Sequence, residues 1–116
     1  MTGSYLLFGG GGIFLILVAL PLMMGKVPPN AVYGLRVPET LGDEDVWYLA
    51  NAKAGRELAV VGATVAATAT IVYVVPGMAS GTRIGICSAL LGLGITGVAT
   101  RGWVYAARLG QKGDDR

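Results

Sequence analysis

Pro29, Asn30, Tyr33, Gly34, Arg36, Thr40, Trp47, Asn51 and Gly55 are the residues of this chain whose types and spacing could do chemistry. They fall in one polar stretch, residues 25–56, with strongly apolar sequence on both sides. What they offer is hydrogen bonding from amide, hydroxyl, phenol and indole groups, plus one guanidinium that can fork onto a carboxylate or a pair of carbonyls. The chain has no His, the commonest general base and metal ligand. No Ser is paired with a base, and the acids Asp43, Glu44 and Asp45 read as the solvated opening of a helix rather than a metal site. The stretch therefore points to recognition, with no catalytic residue, cofactor or metal expected. Two readings of it stay open. In one, the Asn side chains satisfy loop backbone, Arg36 pairs with an acid and Trp47 anchors at headgroup level. In the other, Asn30, Arg36, Trp47 and Asn51 converge on a polar pocket for a peptide end, a lipid headgroup or a partner protein. Arg36, Asn30 and Asn51 are expected to act as a unit, one to which Lys53 does not belong.

Local chemistry says how such residues would be held. Pro28 and Pro29 are expected to end the preceding helix, because neither donates a backbone hydrogen bond. Asn30 favours a turn, Gly34 suits a positive φ, and Pro38 pushes Val37 into an extended conformation. An ordered non-helical loop is expected over 28–39. A helix is expected from Thr40, which would cap it with Asp43 at the fourth position of an imperfect capping box. At helical spacing Thr40, Glu44, Trp47, Asn51, Gly55 and Leu58 share one stripe, and Tyr48, Ala52 and Arg56 a neighbouring one. That helix either runs through Gly55 into the next apolar block or bends there onto the membrane surface.

The frame around this stretch is set by composition. Of 116 residues, 53% are hydrophobic and only 14% charged, against about a quarter charged in soluble domains. Three apolar blocks, 5–24, 58–75 and 84–107, reach the roughly 20 residues that a helix needs to cross a bilayer. The fold class expected is an all-α integral membrane protein. Residues 1–116 form a single membrane domain of three transmembrane helices, with a cytoplasmic polar loop and short helix between the first two. The first block has no basic residue before Leu6 and is of full spanning length, so it reads as a retained helix rather than a cleaved signal. The only cysteine, Cys87, excludes an internal disulfide. A net charge of +2 gives no nucleic-acid footprint.

Basic residues set the expected orientation. Lys26, Arg36, Lys53 and Arg56 lie in or beside the first connection, and Arg108, Lys112 and Arg116 in the tail. The amino terminus has none, and the second connection has Arg83 at its edge. The first connection and carboxyl terminus are thus expected in the cytoplasm and the amino terminus outside. Small residues recur at Gly9 to Gly12, at Ala59, Ala63 and Ala67, at Gly62, Ala66 and Thr70, and at Gly85, Ser88, Ala89, Gly92, Thr96 and Thr100. Such faces suit close helix packing, within a bundle or between copies in a homo-oligomer. They are expected to bring Glu57 and Arg101, near the cytoplasmic ends of their spans, close enough to pair. A small multidrug exporter has this length, but the chain lacks a fourth span and an acid in the interior of a span.

Pro29-Asn30, Gly34-Leu35-Arg36, Pro38, Thr40, Trp47, Asn51 and Gly55 resemble the signature of the SdpI family, small bacterial membrane proteins named for an immunity protein against a secreted toxic peptide. The match covers about residues 26–62. Val37 departs from it, standing where the family pattern has a threonine. The chain looks like the family's core module without the extra amino-terminal membrane domain of longer members. The resemblance implies a bacterial inner-membrane protein with a role in bacteriocin resistance or signalling. Its partners would be membrane lipids, a membrane-active peptide toxin and a cytosolic regulator held at the membrane. The alternative is a structural or accessory subunit whose loop docks on a larger membrane complex.

Overall fold

The computed structural model describes residues 2–30 and 33–114. Arg116, counted above among the basic residues of the tail, lies outside them. Four helices follow in order: α1 over Thr2–Met23, α2 over Pro38–Leu41, α3 over Glu44–Val74 and α4 over Ser80–Asp114. Among the described residues α1, α3 and α4 are each long and apolar enough to cross a membrane, and there is no strand. The chain is therefore an all-α membrane protein with three spanning helices.

The first boundary differs from expectation. α1 continues through Pro21 and stops at Met23, five residues before Pro28. What ends it is Gly25, at φ +68°. The Lys26 amide donates to Pro21 O and the Gly25 amide to Leu22 O, at 3.0 and 3.3 Å. This is a Schellman closure, which consumes the helix's orphan carbonyls and needs a left-handed residue. The prolines come too late to decide it.

The start of the second long helix also moves. Thr40 does not cap it. Thr40 lies inside the single turn α2, whose N-cap is Val37, extended at φ −123° as Pro38 requires. The cap of α3 is Asp43, whose carboxylate accepts from the Asp45 and Val46 amides at 2.9 and 3.3 Å. From there α3 runs unbroken through Gly55 into the membrane block. Its 31 residues span about 46 Å, well beyond a hydrocarbon core of about 30 Å. The first turns of α3 therefore project out of the bilayer and carry the polar residues. The helix stops at Val74 because Val75, ahead of Pro76, is extended at φ −75° and ψ 120°.

α1 and α4 both pack on α3 and scarcely meet each other. α3 is thus the centre of a three-helix layer rather than one wall of a closed bundle. The α1 seam is built on glycine. A Cβ on Gly12 would sit 2.5 Å from Gly62 O and 2.9 Å from Ala66 N, and one on Gly55 would sit 3.0 Å from Ala19 O. Of the glycine run, Gly12 makes this approach, while Gly10 and Gly11 have open space beside them. The small-residue row on α4 is used differently from the reading above. Gly85, Ser88, Ala89, Gly92, Thr96 and Thr100 are all exposed, and α4 packs instead through Cys87, Gly94, Gly102 and Ala106. Phe8, Val65, Ala69, Val72 and Cys87 form one buried cluster, and Val46, Ala50 and Ala106 a second beneath the polar loop.

Candidate functional site

The polar loop is closed onto the start of α3 by two side chains one helical turn apart. Trp47 is fully buried and its indole Nε1 donates to Val27 O at 2.7 Å, which ties down the entry of the loop. Asn51 is 2% exposed. Its Oδ1 accepts from the Leu35 amide, and its Nδ2 donates to Trp47 O at 3.0 Å and to Leu35 O at 3.4 Å. A single carboxamide therefore pairs with both backbone groups of Leu35, as a neighbouring strand would. Thr40, also buried, adds to the same carbonyl: its hydroxyl lies 2.9 Å from Leu35 O and accepts from the Val37 amide at 3.0 Å. Buried backbone groups without partners are costly, and here three side chains supply those partners.

Gly34 makes the closure possible. Its φ is +109°, and a Cβ there would lie 2.8 Å from Asn51 Oδ1 and 3.2 Å from the Trp47 ring. Glycine is needed for conformation and for space at once. Asn30 acts locally, with Oδ1 accepting from the Tyr33 amide at 2.6 Å and Nδ2 donating to Pro28 O and Tyr33 O, both at 2.9 Å. Tyr33 then reaches across to the first span, its hydroxyl donating to Val18 O. Loss of solvent around it pushes the phenol above its ordinary pKa.

The nine signature positions thus divide. Asn30, Tyr33, Gly34, Thr40, Trp47 and Asn51 form one connected knot, while Gly55 lets α3 approach α1. Pro29 and Arg36 are exposed. Arg36 makes no hydrogen bond or ion pair with any described residue, so it does not join the Asn side chains. Beneath the knot lies a cavity of about 260 Å³, lined by Tyr33, Gly34, Leu35 and Asn51 above and by Val18, Leu58 and Ile95 from the three spans. It is a mostly apolar pocket with an amide and a backbone turn at its roof.

Other residues contribute alongside the knot. Leu35 anchors the loop on α4: a Cβ on Gly102 would be 2.9 Å from its Cδ2. Arg83, at the other end of the molecule, is 3% exposed, with Nε on Val72 O at 2.9 Å and Nη2 on Val75 O at 2.6 Å. It supplies donors to the carbonyls that the end of α3 leaves open. Glu57 and Arg101 do pair, at 3.0 Å, and Lys53 joins the same carboxylate oxygen at 2.7 Å while lying 5.3 Å from the Tyr105 ring centroid. Lys53 is thus part of a charge cluster separate from the Asn side chains of the loop.

Among the described residues no group of His, Cys, Asp and Glu could hold a metal ion. No curated protein and no solved structure matches the chain. The profile of the SdpI/YfhL protein family matches residues 26–106, from the entry of the polar loop to the Ala106 contact that seats it on α4. With the knot, the loop and all of α3 inside that match, the chain belongs to the SdpI/YfhL family.

Proposed function

We propose that this protein acts in immunity or signalling against a membrane-active peptide toxin, and that the knotted loop is where recognition occurs. The observation carrying this is the position of the knot. It roofs an apolar cavity bounded by all three spans, so an apolar segment entering from the bilayer would meet the Asn51 amide and the Gly34 turn at its end. Family membership supports the same reading. The role is recognition and involves no bond-breaking step. The first connection and carboxyl terminus face the cytoplasm in this proposal, on the weight of Lys26, Arg36, Lys53 and Arg56. A cysteine introduced by Asp43→Cys should then resist an impermeant thiol reagent in intact cells; labelling would reverse the orientation.

A second reading, an accessory subunit docking on a larger membrane complex, is favoured by Arg36. Its guanidinium is exposed beside a rigid loop, available to a partner's carboxylate. Killing assays with the toxin peptide, comparing cells with and without the gene, separate the two. Protection lost on deletion and restored by the wild type supports immunity. Equal survival, with a partner retained through purification in mild detergent, supports the subunit. Arg36→Lys should leave the melting temperature unchanged in either case while weakening the function, because an ammonium keeps the charge and loses the fork.

A further inference from the structure

The seam between α3 and α4 holds a groove that the proposed function does not use. One lobe, about 310 Å³, is headed by Glu57 and Arg101 and walled by Val60, Leu93, Gly94 and Gly97. A second, about 290 Å³, shares Val60, Val61, Leu93 and Gly94 and continues to Thr64 and Leu90. Glycine lowers the α4 wall. Gly94 rests on Val61, whereas a Cβ on Gly97 would meet no protein atom within 4 Å. Farther in, the groove is apolar: the Thr64 hydroxyl already donates to Val60 O at 2.8 Å.

Its head is charged and unbalanced. Lys53 and Arg101 share a single oxygen of Glu57, so two cations face one carboxylate. The Arg101 side chain is 69% exposed, which leaves guanidinium donors turned outward. Depth agrees with a headgroup position. From Glu57 to the end of α3 at Val74 is about 26 Å of helix, close to the hydrocarbon thickness of about 30 Å. The chemistry therefore grades from an excess cation at the bilayer boundary to an apolar trough below it.

We infer that this groove holds an anionic phospholipid, with the phosphate on Arg101 and one acyl chain laid over Gly97 toward Leu90. Charge complementarity selects the headgroup: a phosphate takes charge-assisted hydrogen bonds from the free guanidinium donors. The trough below suits an extended chain: from Arg101 to Leu90 it follows about 16 Å of α4.

The test uses the full chain purified in mild detergent, with dioleoyl phosphatidylglycerol and dioleoyl phosphatidylcholine as probes. Lipid retained is counted by native mass spectrometry after helical circular dichroism has been matched across variants. The wild type should retain phosphatidylglycerol about fivefold over phosphatidylcholine, the size expected of one basic side chain at an anionic surface. Arg101→Gln should bring the ratio to about one. Gly97→Leu, whose Cβ enters open space, should lower retention of phosphatidylglycerol, and it carries the test alone if Arg101→Gln fails to fold. Arg108→Gln, an exposed cation off the groove, should preserve the ratio. Equal retention of both lipids overturns the site. So does a preference that survives Arg101→Gln, full retention by Gly97→Leu, or loss of the preference in Arg108→Gln.

Discussion

Asn51 holds Leu35 by both of its backbone groups, sixteen residues away in the chain, with Oδ1 accepting from the amide and Nδ2 donating to the carbonyl. A carboxamide offers a donor and an acceptor side by side in one plane and so can imitate a strand edge. Asn51→Ala leaves the Leu35 amide without its partner, while the Thr40 hydroxyl stays 2.9 Å from the carbonyl, at a cost of about 1–3 kcal/mol. The expected result is a lower melting temperature in detergent together with faster hydrogen exchange at the Leu35 amide. Exchange at wild-type rate would mean that water replaces the side chain without penalty.

Gly34 and Gly25 both have positive φ, and they should respond differently to alanine. At Gly25 nothing lies within 4 Å of a built Cβ, so Gly25→Ala costs only the left-handed strain, about 1 kcal/mol. At Gly34 the methyl would also collide with Asn51 Oδ1 and the Trp47 ring. Gly34→Ala should then cost about 2 kcal/mol or more and quench or shift the Trp47 emission. Equal melting temperatures for the two variants would remove the close approach from the account.

The glycine run in α1 gives a second contrast. Gly12→Val must push α1 away from Gly62 and Ala66, and overpacking of this kind costs about 1–3 kcal/mol. Gly10→Val faces open space and should be silent. Thermal unfolding of the two variants, with a disulfide cross-link engineered between α1 and α3 as a proximity readout, checks the seam. Equal loss in both would show that the run acts through backbone flexibility rather than packing.

Lys53, Glu57 and Arg101 should contribute little to stability individually. An exposed pair is worth about 0–1 kcal/mol, and Arg101 is well exposed. Lys53→Ala and Arg101→Ala are each expected to shift the melting point slightly, by amounts that shrink as salt is added. In a double-mutant cycle with Glu57→Ala, both cations should show coupling to the carboxylate, since both sit on Oε1. Zero coupling for Lys53 would make its contact incidental.

Local and one-dimensional properties were legible in the sequence. Hydropathy located the three spans, because crossing a bilayer demands long apolar helices whatever they pack against. Gly34 at positive φ and Val37 extended before Pro38 follow from backbone sterics alone. Even the Glu57–Arg101 pair was readable, since opposite charges at the same depth of neighbouring spans have few other partners. The end of α1 and the start of α3 were misplaced by a few residues, because Gly25 and Asp43 each competed with an equally plausible neighbour, Pro28 or Thr40. What only the tertiary structure decided is rotation and reach. Helical spacing says that Trp47, Asn51 and Gly55 share a stripe; it does not say that Asn51 meets Leu35, that Arg36 is left outside, or that Arg83 closes the far end of α3. It also does not say which small residues are used: Gly12 with Gly62 is, and the longer row on α4 is not. In a soluble helix the apolar face marks the buried side. In lipid both faces are apolar, so the buried one is chosen by close packing and hydrogen bonding between helices, and those exist only once the helices have met.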